Sequence, residues 1–423
     1  MLENMQLAVP MQWHQAVVIP AYKEGDAFVG RLLDQTFPTA TLFIIVLNAP
    51  PGVSELTRQV TLQPLDYFQQ HCPLLWQEDD DFARLFSLQR HSFLVINLLQ
   101  PPPQWPLQSG VGYARKLGTD IALWLFAHNH ITSPWVRSTD ADADWPEPYF
   151  LPLAPAGGIS AVIYPFAHCA LQEHDATSTT AAAIYDAWLR YYVTGLQWSG
   201  SPWAFHTIGS TLAIHLEHYA IQRGFPKREA GEDFYLLNKL AKSGGVQILD
   251  TPTLRLSNRI SDRTPFGTGH AIGKISQSGE GPEWDFYHPD IFVQLKIWHD
   301  SIDKLYAVTH LPSALADTPV GQVLHTMGID AILQHCQRQC ATPQAHVFQL
   351  WQWFDAAMTR KCVHLLRDRI FGTLDLSQLL HLINQGSLPF LQPPHPVACA
   401  QALSQALAAQ DHIPAIKGLF REK

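Results

Sequence analysis

Long apolar runs are missing from this chain of 423 residues, and none of its stretches is uninterrupted enough to span a bilayer. Strongly basic stretches are missing too. The formal net charge is −9, from 28 Lys and Arg against 37 Asp and Glu. That balance excludes the electrostatic footprint of a nucleic-acid binder. Cysteine is scarce: six residues, at 72, 169, 336, 340, 362 and 399, with no C-x-x-C pair. Such usage predicts a reduced, cytoplasmic setting rather than a disulfide framework. The start, Met1-Leu2-Glu3-Asn4-Met5, has neither a basic n-region nor an apolar h-region, so no secretory signal is expected. His335, Cys336 and Cys340 suggest a metal corner at first sight, yet they fall in an amphipathic helical pattern and are read as part of a buried helix.

What is present is a well-filled globular composition, 47% hydrophobic and 15% charged, long enough for one large domain and a smaller one. Residues 15–20, 42–47, 93–97 and 136–139 read as buried strands. Between them, 28–35, 53–70 (interrupted at Pro64) and 110–128 read as helices. Strands alternating with helices predict an α/β fold with a mostly parallel sheet flanked by helices. In such sheets a ligand sits beyond the carboxyl ends of the strands, so the residues after strands one, two and four share one rim.

A second block carries strands at 158–164 and 246–249 and helices at 179–197, 216–223 and 234–242. Gly209-Ser210 offers a place for close backbone approach to a ligand. From about Trp284 the texture turns helical throughout, over 291–308, 321–339, 347–365, 376–383 and 397–408. The division expected is therefore 1–283 as the α/β domain and 284–423 as a helical one. The apolar stripes of this tail predict core that packs on the sheet domain or in a homo-oligomer contact.

The string Ser138-Thr139-Asp140-Ala141-Asp142-Ala143-Asp144 puts alternate carboxylates at the end of the fourth strand. Side chains two apart share a face, and two carboxylates on one face make an oxygen-only cradle suited to Mg²⁺ or Mn²⁺. Such an ion would clamp a diphosphate. Acidic turns are also common on surfaces, so order within a larger pattern decides. Asp144 itself is taken as an exposed turn residue before Trp145-Pro146.

Read in order, the motifs resemble family 2 glycosyltransferases of the GT-A (Rossmann-like) fold. They are Val17-Val18-Ile19-Pro20-Ala21-Tyr22-Lys23-Glu24, Phe43 to Asn48, Gly110 to Gly118, Ser138 to Asp142, Gly209 to Ala213, and Gly224 to Leu236 with Gly231-Glu232-Asp233. The resemblance covers roughly residues 15–255. It implies a metal-dependent inverting transfer of a sugar from a nucleotide diphosphate donor to a hydroxyl acceptor. It places donor contacts on Pro20, Ala21, Tyr22 and Glu24, the donor-facing cation at Arg115, and the donor and metal contacts on Asp140 and Asp142. Asp233 is the implied general base, with Glu232 beside it. Equally, Glu232 and Asp233 are good charges for a helix N-terminus.

Three positions are less directly matched. Asn48 stands where many relatives have an acidic residue. An amide both accepts and donates, which suits the uracil edge and favours a UDP-sugar, although an Asn before Ala49-Pro50-Pro51 is also an ordinary turn former. Arg263, in the loop 259–270, is placed to neutralise a leaving diphosphate, and His270 to complete a metal's ligands. The alternatives are a retaining GT-A transferase, in which Glu232 and Asp233 hold the acceptor, and a non-catalytic nucleotide-sugar-binding or assembly protein. A nucleotidyltransferase is disfavoured, because Ala21-Tyr22-Lys23-Glu24 stands where its Gly-rich basic loop belongs.

Overall fold

A computed structural model describes residues 12–78, 82–100, 110–155, 157–171, 176–228, 230–261, 263, 267–277, 284–391 and 397–409. They fall into two compact units that interleave along the chain. One comprises Met1–Gln172 with Thr207–His270, the other Glu173–His206 with Ala271–Lys423.

The first unit is built on a nine-stranded sheet. Its strands, in chain order, are β1 (Gln15–Ala21), β2 (Thr41–Leu47), β3 (Leu74–Gln77), β4 (Ala83–Leu88), β5 (His91–Asn97), β6 (Trp135–Ser138), β8 (Ile159–Ile163), β10 (Leu212–His215) and β11 (Gly245–Ile248). A smaller three-stranded sheet pairs β7 (Ala143–Asp144), β12 (Leu254–Ser257) and β9 (Phe166–Cys169), in that order. In the large sheet the order is β11-β8-β10-β6-β1-β2-β5-β4-β3. Following the pairings across it, seven strands run one way and two, β4 and β10, run the other. The sheet is thus mostly parallel, in a mixed α/β fold.

The centre forms around the apolar runs Leu42–Leu47 and Phe93–Ile96. β2 and β5 are buried along their whole length, as strands covered on both faces must be. The crossovers are α1 (Ala27–Asp34), α2 (Glu55–His71) and α3 (Val111–Ala127). α2 runs unbroken through Pro64, against the expected interruption. Pro64 is buried on the same face as Thr61, Leu65 and Phe68, and that packing offsets the missing backbone bond. α3 lies close on the sheet because Gly118 leaves room: a Cβ there would stand 2.5 Å from Val18 Cγ1. The chirality-free position is used for packing, not for a turn.

Beyond the centre, α5 (Leu216–Ile221) and α6 (Glu232–Leu240) belong to this unit, whereas α4 (Ala176–Trp198) belongs to the second. The second unit is helical, and its buried cluster runs from Ala181 through Trp298, Leu350 and Leu379 to Leu407. The apolar stripes of the tail are core. Three helices expected to be continuous are divided. The first, 291–308, is a helix over Asp290–His299 followed by a separate short turn at Ile302–Lys304. Gly328, at φ 90°, separates Pro319–Met327 from Ile329–Gln339. Asp355 caps Ala356–Leu366 by accepting from the backbone of Ala357 and Met358, which ends the helix before it at Trp353. The Pro-rich residues 392–396 lie outside the described residues. Among the described residues no helix is long and apolar enough to cross a membrane.

Candidate functional site

β1, β2 and β6 are parallel neighbours, so their carboxyl ends open on one edge. Ala21 ends β1, Asn48 follows β2, and Thr139 and Asp140 follow β6. These are the positions expected to share a rim. Asn48 N donates to Ala21 O at 3.0 Å and Thr139 N to Val18 O at 3.1 Å, which ties the strand ends together. After β6 the chain turns at once. Ala143 N donates to Asp140 O at 3.2 Å, and Trp145 Nε1 donates back to Thr139 Oγ1 at 2.9 Å. This turn holds the alternate carboxylates in place.

Each of those three carboxylates meets at least one guanidinium. Asp140 Oδ1 accepts from Arg115 Nη2 at 2.6 Å. Asp142 Oδ2 lies 2.8 Å from Arg259 Nη2 and 3.4 Å from Arg263 Nη2. Asp144 Oδ2 accepts from Arg255 Nη1 at 3.1 Å. Asp144 is therefore a paired, half-exposed residue of β7 rather than a bare turn residue, because β12 brings Arg255 alongside it. Arginines at 255, 259 and 263 recur at intervals of four, a spacing the sequence displays but whose partners it does not.

Arg115 sits differently from its expected place facing a diphosphate. It is buried, and its guanidinium joins three segments. Nη1 donates to Ser138 Oγ at 2.7 Å and to the carbonyl of Gly209, Nη2 to Asp140, and Nε lies 3.0 Å from Glu232 Oε1. The Nε hydrogen is not aligned on that oxygen, so the contact with Glu232 is one of charge. Gly209 is required here: a Cβ would come within 2.7 Å of the guanidinium. The close approach expected of Gly209 is thus to Arg115. Gly112, at the start of α3, is likewise filled from within. A Cβ there would lie 2.5 Å from Arg228 O and 2.9 Å from Pro226 O. Lys116 is paired with Asp120 at 2.9 Å.

Glu232 is buried beside Arg115. Burial, set against that cation, pushes its carboxyl up to about 7. Asp233, next along and only half-buried, is also raised, by burial first, with Arg115 pulling the other way. Asp233 Oδ1 accepts from Phe234 N at 2.7 Å. Of the two carboxyls Asp233 is the more accessible, as a group that accepts a proton from a bound hydroxyl must be.

Glu24 follows Lys23, which holds a left-handed φ of 59°. Its carboxylate is met by both loop arginines, Arg259 Nη2 at 2.6 Å from Oε2 and Arg263 Nη1 at Oε1. Burial and the charge of Asp142 push the Glu24 carboxyl up, against the pull of the two arginines. Arg263 Nη1 also donates to Tyr22 O at 2.9 Å. Pro20 and Tyr22 are half-buried and Ala21 is buried. Asn48 is buried and donates from Nδ2 to Gly110 O at 2.9 Å, while its Oδ1 is buried without a partner. One donor of the amide is thus committed, which weakens the match to a uracil edge.

His270 lies half-buried in α7 (Thr268–Ser276). Among the described residues no three His, Cys, Asp or Glu side chains gather as a metal-holding group, so His270 does not join Asp140 and Asp142 there. The signal at His270 was a family habit without a local geometric reason. Residues 262 and 264–266 of its loop lie outside the described residues. The carboxylates themselves fit a divalent cation by chemistry. Asp140 and Asp142 offer hard oxygen donors two residues apart, although Asp142 Oδ2 is already engaged by two guanidiniums. Arg259, in the same loop as Arg263, pairs with the same two carboxylates, a role not assigned to it from the sequence.

No family profile matches the chain, and no curated protein matches it. Among solved structures, a similar chain is the mannosyltransferase PcManGT from Pyrobaculum calidifontis in complex with GDP-Man and Mn²⁺. It is 14% identical with a TM-score of 0.32, and the alignment covers 95% of this chain and 87% of that one.

Proposed function

We propose that this protein is a glycosyltransferase of the GT-A type, acting by inversion on a nucleotide diphosphate sugar. The observation that carries the reading is the shared rim. Glu24, Asn48, Asp140 and Asp142 follow strand ends of one mostly parallel sheet, and the Arg115 tie links Asp140 to Glu232, beside Asp233. Ligands of such sheets sit beyond those ends. Asp142, with Asp140 behind it, would hold Mn²⁺ or Mg²⁺, which supplies charge to the departing nucleoside diphosphate. The segment Pro20–Glu24 and Asn48 face the nucleoside in this reading, with a UDP-sugar favoured only by the amide of Asn48.

Asp233 takes the acceptor hydroxyl's proton as that oxygen attacks the anomeric carbon. Glu232 keeps Arg115 in position. The helical region 284–423 has a packing or self-association role and no part in donor chemistry, which belongs to 1–283.

The test is Asp233→Asn. A general base acts in the transition state, so turnover should fall at least about a hundredfold while donor affinity is kept. Near-normal turnover removes Asp233 from the mechanism and favours the retaining alternative.

A further inference from the structure

The carboxylate assigned to a divalent cation already has two resident cations. Arg259 Nη2 and Arg263 Nη2 both approach one oxygen, Asp142 Oδ2, at 2.8 and 3.4 Å. The same two guanidiniums also engage the two oxygens of Glu24. Two positive and two negative groups thus form a closed, balanced square across the rim, between the segment after β1 and the turn after β6. It is partly open to solvent: the side chains of Arg259, Asp142, Arg263 and Glu24 are 39%, 26%, 19% and 9% exposed. It is also incompletely satisfied, for Arg259 Nε is buried without an acceptor.

An oxygen that accepts two guanidiniums has little left for a metal ion, and like charges a few ångströms apart repel. We propose that Arg259 and Arg263 compete with a divalent cation for Asp142, so that the ligand-free protein holds its acidic pair closed against metal. A nucleoside diphosphate relieves the competition, since its phosphate oxygens give the displaced guanidiniums the acceptors they lose. Metal and diphosphate then bind with positive coupling. This second half rests on the reading of the rim as a donor site; the competition for Asp142 does not.

The experiment is a titration with Mn²⁺ alone, followed by paramagnetic resonance of the free ion, on the full chain and on Arg259→Gln, Arg263→Gln and Arg263→Lys. Each Gln variant should bind Mn²⁺ alone about tenfold more tightly than the wild type, within the range of ordinary site couplings. Arg263→Lys keeps the charge and should stay weak. Unchanged Mn²⁺ affinity in both Gln variants overturns the competition, as does a Lys variant that binds as tightly as the Gln one. A second arm adds UDP or GDP at saturation. Wild type should then gain Mn²⁺ affinity, and the Gln variants should gain less. Tighter Mn²⁺ binding in the Gln variants with no effect of either nucleotide upholds the competition and overturns the donor site.

Discussion

Two arginine knots lie along one acidic string, and they are built for different purposes. The inner knot centres on Arg115, whose side chain and that of Glu232 are each 4% exposed. It joins the end of β6, the turn at Gly209 and the start of α6 through contacts that are buried at Arg115 and Glu232, while the Asp140 side chain is 37% exposed. The outer knot joins Asp142 and Glu24 to arginines from the segment after β12, and its members are partly exposed. Buried charge that loses its partner is costly, so the inner knot is framework. The outer knot opens to solvent at Arg259, 39% exposed, although Glu24 beneath it is 9% exposed, so under the proposed function Arg259 is the member best able to exchange partners. Burial, more than residue type, separates the arginines of this rim: the Arg115 side chain is 4% exposed, those of Arg259 and Arg263 39% and 19%.

Breaking the inner knot should have the largest effect. Arg115→Met leaves Asp140 and Glu232 without their shared cation and should destabilise the fold by about 3–5 kcal/mol, read by urea denaturation. A loss below about 1 kcal/mol would put Arg115 in the exchangeable class with Arg259.

A smaller effect follows from protonation. The Glu232 carboxyl is raised from 4.5 to about 7 in the folded chain. Its folded form holds the proton more tightly, so its contribution to stability is complete below about pH 4.5. That contribution is lost as the pH rises through about 7. Between pH 5 and pH 8 the wild type should therefore lose stability relative to Glu232→Gln, on the order of 1–3 kcal/mol. Parallel pH profiles for the two proteins would mean that Arg115 holds Glu232 ionised throughout.

The smallest effect belongs to the third pair. Arg255 and Asp144 have side chains 56% and 43% exposed. Arg255→Gln should cost less than about 1 kcal/mol in the same denaturation series. A larger loss would show that the pairing of β7 with β12, and not solvent exposure, governs the string.

Much of this contrast was legible in the residues, and the rest had physical reasons to stay hidden. The strands β1, β2 and β5 announce themselves because a strand buried on both faces carries an apolar run, here Ala16–Ile19, Leu42–Leu47 and Phe93–Ile96. The rim followed from them, since the positions after parallel strands share an edge. The hairpin of β3 and β4 was missed. β3 is Leu74-Leu75-Trp76-Gln77, an edge strand with three of its four residues exposed, and it lacks the alternation that marks a half-buried strand. Gly328 and Asp355 carry chemical signals for a helix end, a left-handed glycine and a side-chain cap, which the continuous apolar stripes outweighed. The role of Arg115 could not be read locally. A basic residue early in a helix looks alike whether it faces a ligand or turns inward to Asp140, 25 positions on, and Gly209, 94 positions on. Only the fold decides, by filling the space beside Gly112 and Gly209 with the protein's own atoms.

The central claim is that the outer end of this rim binds a nucleoside diphosphate together with a divalent cation. Calorimetric titration of UDP and GDP in the presence and absence of Mn²⁺, into the wild type and Asp142→Ala, tests it most directly. The account predicts binding by the wild type that strengthens with Mn²⁺, and loss of the Mn²⁺-dependent part in Asp142→Ala at an unchanged melting temperature. Unchanged metal-dependent affinity in Asp142→Ala, for every diphosphate the wild type binds, would contradict it.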